Sequence, residues 1–169
     1  VDAVYHFAAY QDYLPDFSTY FKVNSMSTAL IYEVIVEQKL SIQKVIVASS
    51  QAVLGEGLYR SPALGDFIPE IRLEEQLRTG DWEHRCPEMG EPMEFLPTPE
   101  ARFNPRNQYA LAKHSEESIA TSLGRRYDIP SVAMRYSIVQ GPRQSFYNAY
   151  SGAMRIFAHL PFVKGVLEH

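Results

Sequence analysis

Three observations predict an α/β fold built as a doubly wound parallel sheet. Short apolar runs stand at 1–9, 44–49 and 131–139. A long segment of helical periodicity follows the first of them, and another precedes the last. The order strand, helix, strand requires a crossover between parallel strands, and such crossovers are right-handed in nearly all sheets.

Element by element, VDAVYHFAA (1–9) reads as a buried strand rich in β-branched and aromatic residues. Pro15-Asp16 marks a turn, and Asp16 or Ser18 is placed to cap a helix that runs to about Lys39. Within that helix Met26, Leu30 and Val34 recur at helical spacing, as do Ile31 and Ile35. KVIVAS (44–49) is a second buried strand, with too little alternation for one wet face. The stretch 51–104 holds most of the prolines and many charges, with no sustained periodicity outside 73–77. It is expected to be a long irregular insertion after the second strand, or a small subdomain of its own. Regular pattern resumes with a helix over 106–127, a strand over 131–139, the pair Gly141-Pro142 and a last helix over 150–159.

The bulk numbers bound the function. A chain of 169 residues is one domain's worth, here assigned to 1–166. Leu167-Glu168-His169 resembles the start of a vector-encoded Leu-Glu-polyhistidine tag and is left outside the expected fold. The formal charge is −4 and no stretch gathers Lys and Arg, which argues against nucleic acid or an anionic membrane as the main partner. The single cysteine, Cys86, allows no internal disulfide and fits a reducing cytoplasm. The longest apolar run, Ala29 to Val36, is broken by Glu33 and is too short to span a bilayer, and no secretory signal is seen.

Tyr109 and Lys113 stand at i and i+4 of the predicted helix and so share a face. An ammonium beside a phenol favours the phenolate, which is how such a pair moves a proton near neutrality. Alone the spacing is weak: eleven tyrosines and five lysines give about a third of one such match by chance. Ser49-Ser50-Gln51-Ala52-Val53-Leu54-Gly55 follows the second strand directly, where a doubly wound sheet places its ligand crevice. A Ser there can hold a substrate oxygen against the Tyr, although Ser also caps helices and forms turns routinely.

HFAA (6–9), VN (23–24), ASSQAVLG (48–55), YALAK (109–113) and RYSIVQGPRQ (135–144) occur in one order. In this set the chain resembles the extended short-chain dehydrogenase/reductase family, specifically its NAD-dependent sugar-nucleotide epimerases and dehydratases. The resemblance implies a partial Rossmann-like domain and a Ser50, Tyr109, Lys113 catalytic set. Tyr109 would exchange the sugar hydroxyl proton, and Lys113 would depress the Tyr pKa and reach the nicotinamide ribose. Phe7, Ala8, Ala9, Ser49, Tyr136 and Ile138 would line the cofactor together with Tyr109 and Lys113. Asn24 would be a structural or relay residue behind the site, or else a helix-interior Asn with a local backbone bond. The implied cofactor is NAD, with NADP open, and the implied partner is a nucleotide-sugar substrate, with no metal. The helices at about 15–39 and 106–127 would form a homodimer interface.

Several residues depart from the family's pattern. No GxxGxxG or GxGxxG occurs, so the turn that holds a pyrophosphate at a helix N-terminus is expected to lie ahead of the HFAA strand. The 169 residues by themselves are therefore expected to bind NAD poorly and to lack activity. Ile138 and Gln140 stand where the family has Asn and Tyr, which puts a diphosphate contact in doubt. Gln51-Ala52 replaces the Asp-Glu of the 4,6-dehydratases, which favours an epimerase or a simple reductase. The expected function is thus an NAD-dependent nucleotide-sugar epimerase. The alternatives are a reductase of the same family, or a non-catalytic module that kept the fold.

The insertion holds a second pattern. Ser61-Pro62-Ala63-Leu64-Gly65 and Cys86-Pro87-Glu88-Met89-Gly90 share the frame x-Pro-x-x-Gly, twenty-five residues apart. With cysteine at all four framing positions this would read as the two knuckles of a zinc ribbon. Ser61, Leu64, Cys86 and Met89 leave one thiolate, so the reading is a ribbon that no longer binds metal, beside that of two unrelated Pro-Gly turns.

Overall fold

The computed structural model of the chain describes residues 2–144. Strand β1 (Ala3–His6) leads through an open segment into α1 (Phe17–Tyr20), a π-helical stretch (Phe21–Met26) and α2 (Ser27–Glu37). Strand β2 (Lys44–Ser50) follows, then a 3-10 turn (Gln51–Leu54), β3 (Leu58–Ser61), β4 (Gly65–Phe67), α3 (Glu74–Arg78) and β5 (Glu94–Leu96). Helix α4 (Gln108–Arg126) and strand β6 (Ser131–Tyr136) complete the described elements. The helix expected over 150–159 lies outside the described residues.

Two sheets result. The larger is parallel, in the order β1-β2-β6, with Tyr5 opposite Ile46 and Val47 opposite Ala133. The α/β class and the parallel crossover are as expected. Helices α2 and α4 cover the face that carries Val45 and Val47, and Tyr32, Ile35, Ala120 and Ile129 close a core against those valines. Removing such side chains from water is the main driving term, on the order of 2 kcal/mol for each aliphatic residue buried. The Tyr32 hydroxyl, taken from water with them, hydrogen-bonds Ser131 at 2.6 Å. Only half of the expected α2 stripe is core: Ile35 is buried, whereas Met26, Leu30 and Val34 are exposed.

The helix entry differs from expectation in its chemistry. Asp16 occupies the N-cap but makes no side-chain capping bond, and its Oδ2 accepts from the Tyr10 hydroxyl at 2.6 Å. Further along, Thr28 donates to the Asn24 carbonyl at 2.8 Å and Ser27 donates to that of Val23, side-chain bonds that compete with the helical ladder. They lie where the chain widens into the π-helical stretch, a feature that tends to mark functional segments. At α4 the cap is the side chain itself: Asn107 Oδ1 accepts from Ala110 N at 2.8 Å.

The insertion is not irregular throughout. Strands β4, β3 and β5 form an antiparallel sheet in that order, with an added bridge between Arg85 and Pro92. Tyr59 packs on His84 and Phe95 at ring-centroid distances of 4.7 and 5.4 Å, and gives this lobe a small aromatic centre. Strands of three or four residues carry too few alternations for a periodicity to register, which is why the sequence pattern passed over them.

Candidate active site

The site forms where β2 ends. Its last residue, Ser50, is extended and opens the 3-10 turn by accepting from Ala52 N at 3.1 Å. Gly55 then closes the turn at φ +65°, with Asn104 O so near that a Cβ would overlap it. Helix α4 crosses behind, and brings Tyr109 to the same cleft as Ser50, whose hydroxyl is placed to lower the Tyr109 pKa. A cleft of about 820 Å³ opens over this pair, also lined by Ala9, Ser49, Lys113, Tyr136 and Ile138. Its far wall belongs to the inserted lobe, through Glu56, Gly57, Phe95 and Thr98. Thus seven of the candidate site residues singled out in the sequence line one cavity. Phe7 and Ala8 do not line it: Phe7 is 54% exposed and turns its ring edge to Tyr136, at 6.1 Å between centroids.

Asn24 is fully buried, and its bonds are not local. It accepts from Tyr10 N at 2.8 Å and donates to Tyr10 O at 3.1 Å, so its amide clamps the segment that follows Ala9. It acts as a buttress of the cleft's edge. Ser49 also looks away from open space, donating to Glu117 Oε2 at 2.8 Å.

Lys113 is held differently from expectation. Its Nζ donates to Ala48 O and to Glu116 Oε2, both at 2.7 Å, and both side chains are buried. The ammonium therefore faces β2 and Glu116 rather than the phenol. Burial raises the Tyr109 pKa above its ordinary value, the Ser50 hydroxyl works against that, and the negative charge of Glu116 adds to the rise. Lys113 is thus paired with a carboxylate on its own helix, and the Tyr109 shift is upward. Glu116 itself is pushed up to about 7 by burial, against the pull of Lys113, and its Oε1 has no partner among the described residues.

Glu116 was missed in the sequence, although a signal was there. Tyr109, Lys113 and Glu116 stand at i, i+4 and i+7, one stripe of α4. Its neighbour Glu117 was missed too. Burial pushes Glu117 up, but bonds from Arg135 at 2.6 and 3.0 Å and from Ser49 hold it below its ordinary value. Arg135 also donates to Glu100 O at 2.6 Å, which fixes the exit of the inserted lobe to the sheet.

The donor set suits the nicotinamide half of a dinucleotide. A phenol, a hydroxyl and an ammonium stand at the C-terminal end of a parallel strand, over a cleft long enough for an extended ligand. Among the described residues, no group of three or more His, Cys, Asp or Glu is placed to hold a metal ion, and no helix is long and apolar enough to cross a membrane.

Comparison with known proteins bears on this site. Residues 1–168 match the NAD-binding family described as male sterility protein. A dTDP-L-rhamnose 4-epimerase of Burkholderia thailandensis is 27% identical over 156 residues, 91% of this chain and 41% of that protein. The chain thus spans about two fifths of that relative's length. Among solved structures, a UDP-N-acetylglucosamine 4-epimerase of Methanobrevibacter ruminantium superposes with TM-score 0.60 at 25% identity, covering 95% of this chain and 41% of that one. A UDP-glucuronic acid 4-epimerase of Bacillus cereus, solved with NAD, gives 0.54 at 25% identity over 85% and 34%.

Proposed function

The chain belongs to the NAD-binding family described as male sterility protein, and from that premise we propose that it carries the acid/base half of a nicotinamide-dependent epimerase acting on a nucleotide-linked hexose. The observation that carries the reading is that Ser50, at the end of β2, and Tyr109 and Lys113, on one stripe of α4, line the same cleft. The names of the relatives point to carbon 4 of the sugar. The extended short-chain dehydrogenase/reductase resemblance of the motifs agrees with them.

In this reading Tyr109 exchanges a proton with the sugar hydroxyl, and Ser50 holds the same oxygen by a hydrogen bond. Lys113 closes the floor of the cleft and reaches the ribose of NAD when it is bound, while Ala9, Tyr136 and Ile138 border that ligand. The dinucleotide supplies reversible hydride transfer, and the Gly-rich turn for its pyrophosphate is not among these 169 residues. The chain spans about two fifths of the curated relative's length, and the activity proposed is that of the whole protein. Exposed Leu30 and Val34 of α2, with Met26 at the end of the π-helical stretch before it, support a homodimer, which light scattering at high concentration tests.

The direct test is NMR of a UDP- or dTDP-hexose incubated with that protein and NAD. The 4-epimer is expected to appear without net NADH, and Tyr109→Phe is expected to lower turnover by about 10² to 10⁴. Turnover unchanged in Tyr109→Phe would sink the assignment, and net NADH consumption would make the protein a reductase. A second reading, a non-catalytic module that kept the fold, draws on Lys113 being held by Glu116. Cofactor binding with no turnover on any nucleotide-sugar would favour it.

A further inference from the structure

The inserted lobe repeats one small device twice, and the two copies face each other. In the first, Ser61 and Gly65 pair across the β3–β4 turn, and the Ser61 Oγ accepts from Ala63 N at 3.2 Å and Leu64 N at 3.3 Å. In the second, Cys86 O accepts from Gly90 N at 2.8 Å, and the Glu88 and Met89 N–H groups lie on the side of the thiol, where they lower its pKa. Each turn ends on a glycine in the left-handed region, Gly65 at φ +72° and Gly90 at φ +69°. Neither has a neighbour within 4 Å of where a Cβ would stand, so the backbone conformation and not crowding calls for glycine. The two turns share the Pro at the second position and the left-handed closing glycine, which tight turns in general favour, so the frame gains weight only from how the two copies are placed.

The facing of the two turns is the second observation. Ser61 Oγ donates to Cys86 Sγ at 3.2 Å, and both residues are buried, at 1% and 2% exposure. Two thiolates on one tetrahedral zinc, each about 2.3 Å from the metal, stand roughly 3.8 Å apart. The pair is therefore at metal-sharing separation, drawn in by about the amount a hydrogen bond would draw it. The first positions of both frames point at one another, and Ser61 Oγ accepts from the two N–H groups that in a zinc knuckle stabilise a thiolate.

We infer that this lobe is a zinc-ribbon framework in which the Ser61–Cys86 hydrogen bond occupies the place of the metal. The hydroxyl explains why the lobe holds without an ion. Ser61 Oγ uses its one proton on Cys86 and its two lone pairs on Ala63 and Leu64, so nothing buried is left unpaired. Leu64 and Met89, at the other two framing positions, are 43% and 55% exposed and contribute little packing. The framework matters to the cleft, because β5 of the same sheet carries Phe95 and the chain just beyond it carries Thr98, both on the far wall.

The test restores the missing thiols. In the full chain, S61C/L64C/M89C joined to Cys86 is expected to bind one zinc or cobalt ion per chain, with the absorption of a tetrahedral cobalt tetrathiolate. Variant S61C/A63C/E88C, which also has four thiols but shifts two of them by one residue, is expected to bind at least 100-fold more weakly. The unsubstituted protein is expected to hold no stoichiometric metal. Equal affinity of the two variants, or a triple variant that stays unfolded even when refolded with zinc, would overturn the inference, as would stoichiometric zinc in the unsubstituted protein. The single variant S61C is an independent check that disturbs the fold least. Mild oxidation is expected to close a Cys86 disulfide and consume two free thiols, and persistence of both thiols counts against the facing geometry.

Discussion

Two bidentate arginine pairs, one at the sheet and one in the inserted lobe, have nearly the same geometry. Arg135 meets Glu117 at 2.6 and 3.0 Å, and Arg60 meets Asp66 at 2.7 and 3.0 Å. Their surroundings differ. The first pair is 16% exposed on both sides, while the second is 54% and 42% exposed. The contrast recurs in other pairs, although in the lobe Glu56 meets the buried His84 at 2.8 Å. Around β2 and α4 charged side chains are turned inward and paired, as Lys113 with Glu116, whereas in the lobe Arg78, Arg85 and their partners pair in water. Equal distances therefore carry unequal weight, and the charges that decide stability and chemistry are those at the sheet.

The largest effect is expected from breaking the driest pair. Lys113→Met leaves Glu116 buried beside an apolar chain, and removing one partner of a buried pair typically costs about 3–5 kcal/mol. Urea denaturation of the variant against the unsubstituted chain measures it. A loss below about 1 kcal/mol would mean that Glu116 simply takes up a proton, and that the sheet region tolerates a broken pair as the lobe does.

Next comes a substitution that probes packing in place of charge. Gly124 lies in α4, and a Cβ there would overlap the Ser131 hydroxyl and stand 2.7 Å from Ser131 Cβ and 2.8 Å from Ile129 O. Gly124→Ala gains about 1 kcal/mol of helix propensity. It should still destabilise, by about 1–3 kcal/mol, because the helix must lift from β6. A stabilised variant, seen as a higher urea midpoint, would show that α4 can move without cost.

The pH dependence sharpens the comparison within the sheet region, since adjacent residues have opposite signs. Folding raises Glu116 from about 4.5 to about 7, so the folded state keeps a proton that the unfolded chain releases. Its contribution is full below about 4.5 and is lost as pH rises through about 7. Glu117 is lowered on folding, so its contribution is present above the ordinary carboxylate range and is lost as pH falls through its folded value. Relative to Glu116→Gln, the unsubstituted chain should lose stability between about pH 4.5 and 7. A flat difference between the two urea midpoints over that range would show that Glu116 is not a titrating group.

What the sequence showed follows the same division. The strands around Val47 and the helix of Tyr109 were legible because burial on one face imposes a period on ten or more residues. The Tyr109 and Lys113 stripe was legible because motif spacing survives on a rigid helix, and Ser50 because it directly follows the apolar run of β2. Glu116 was not, since a carboxylate at a helix position normally reads as solvated, and only the fold shows that this one lies beneath β2. The lobe was legible as a frame, through Pro62, Gly65, Pro87 and Gly90, but not as strands. Its order comes from turns and from the Ser61–Cys86 contact, which has no periodic signature.

The smallest effect is expected where the geometry looks best and the water is closest. Arg60→Ala removes two good hydrogen bonds to Asp66, yet both partners return to solvent that hydrates them nearly as well. The ordering of two long side chains is released at the same time, which offsets most of the lost attraction. The urea midpoint of Arg60→Ala should therefore coincide with that of the unsubstituted chain, at low and at high salt. Arg135→Ala should lower it clearly, because Glu117 would stay beneath the sheet and Glu100 O would lose its donor. Equal shifts from the two variants would mean that burial is not what separates the two regions, and that the lobe's ion pairs hold it together in place of the facing turns.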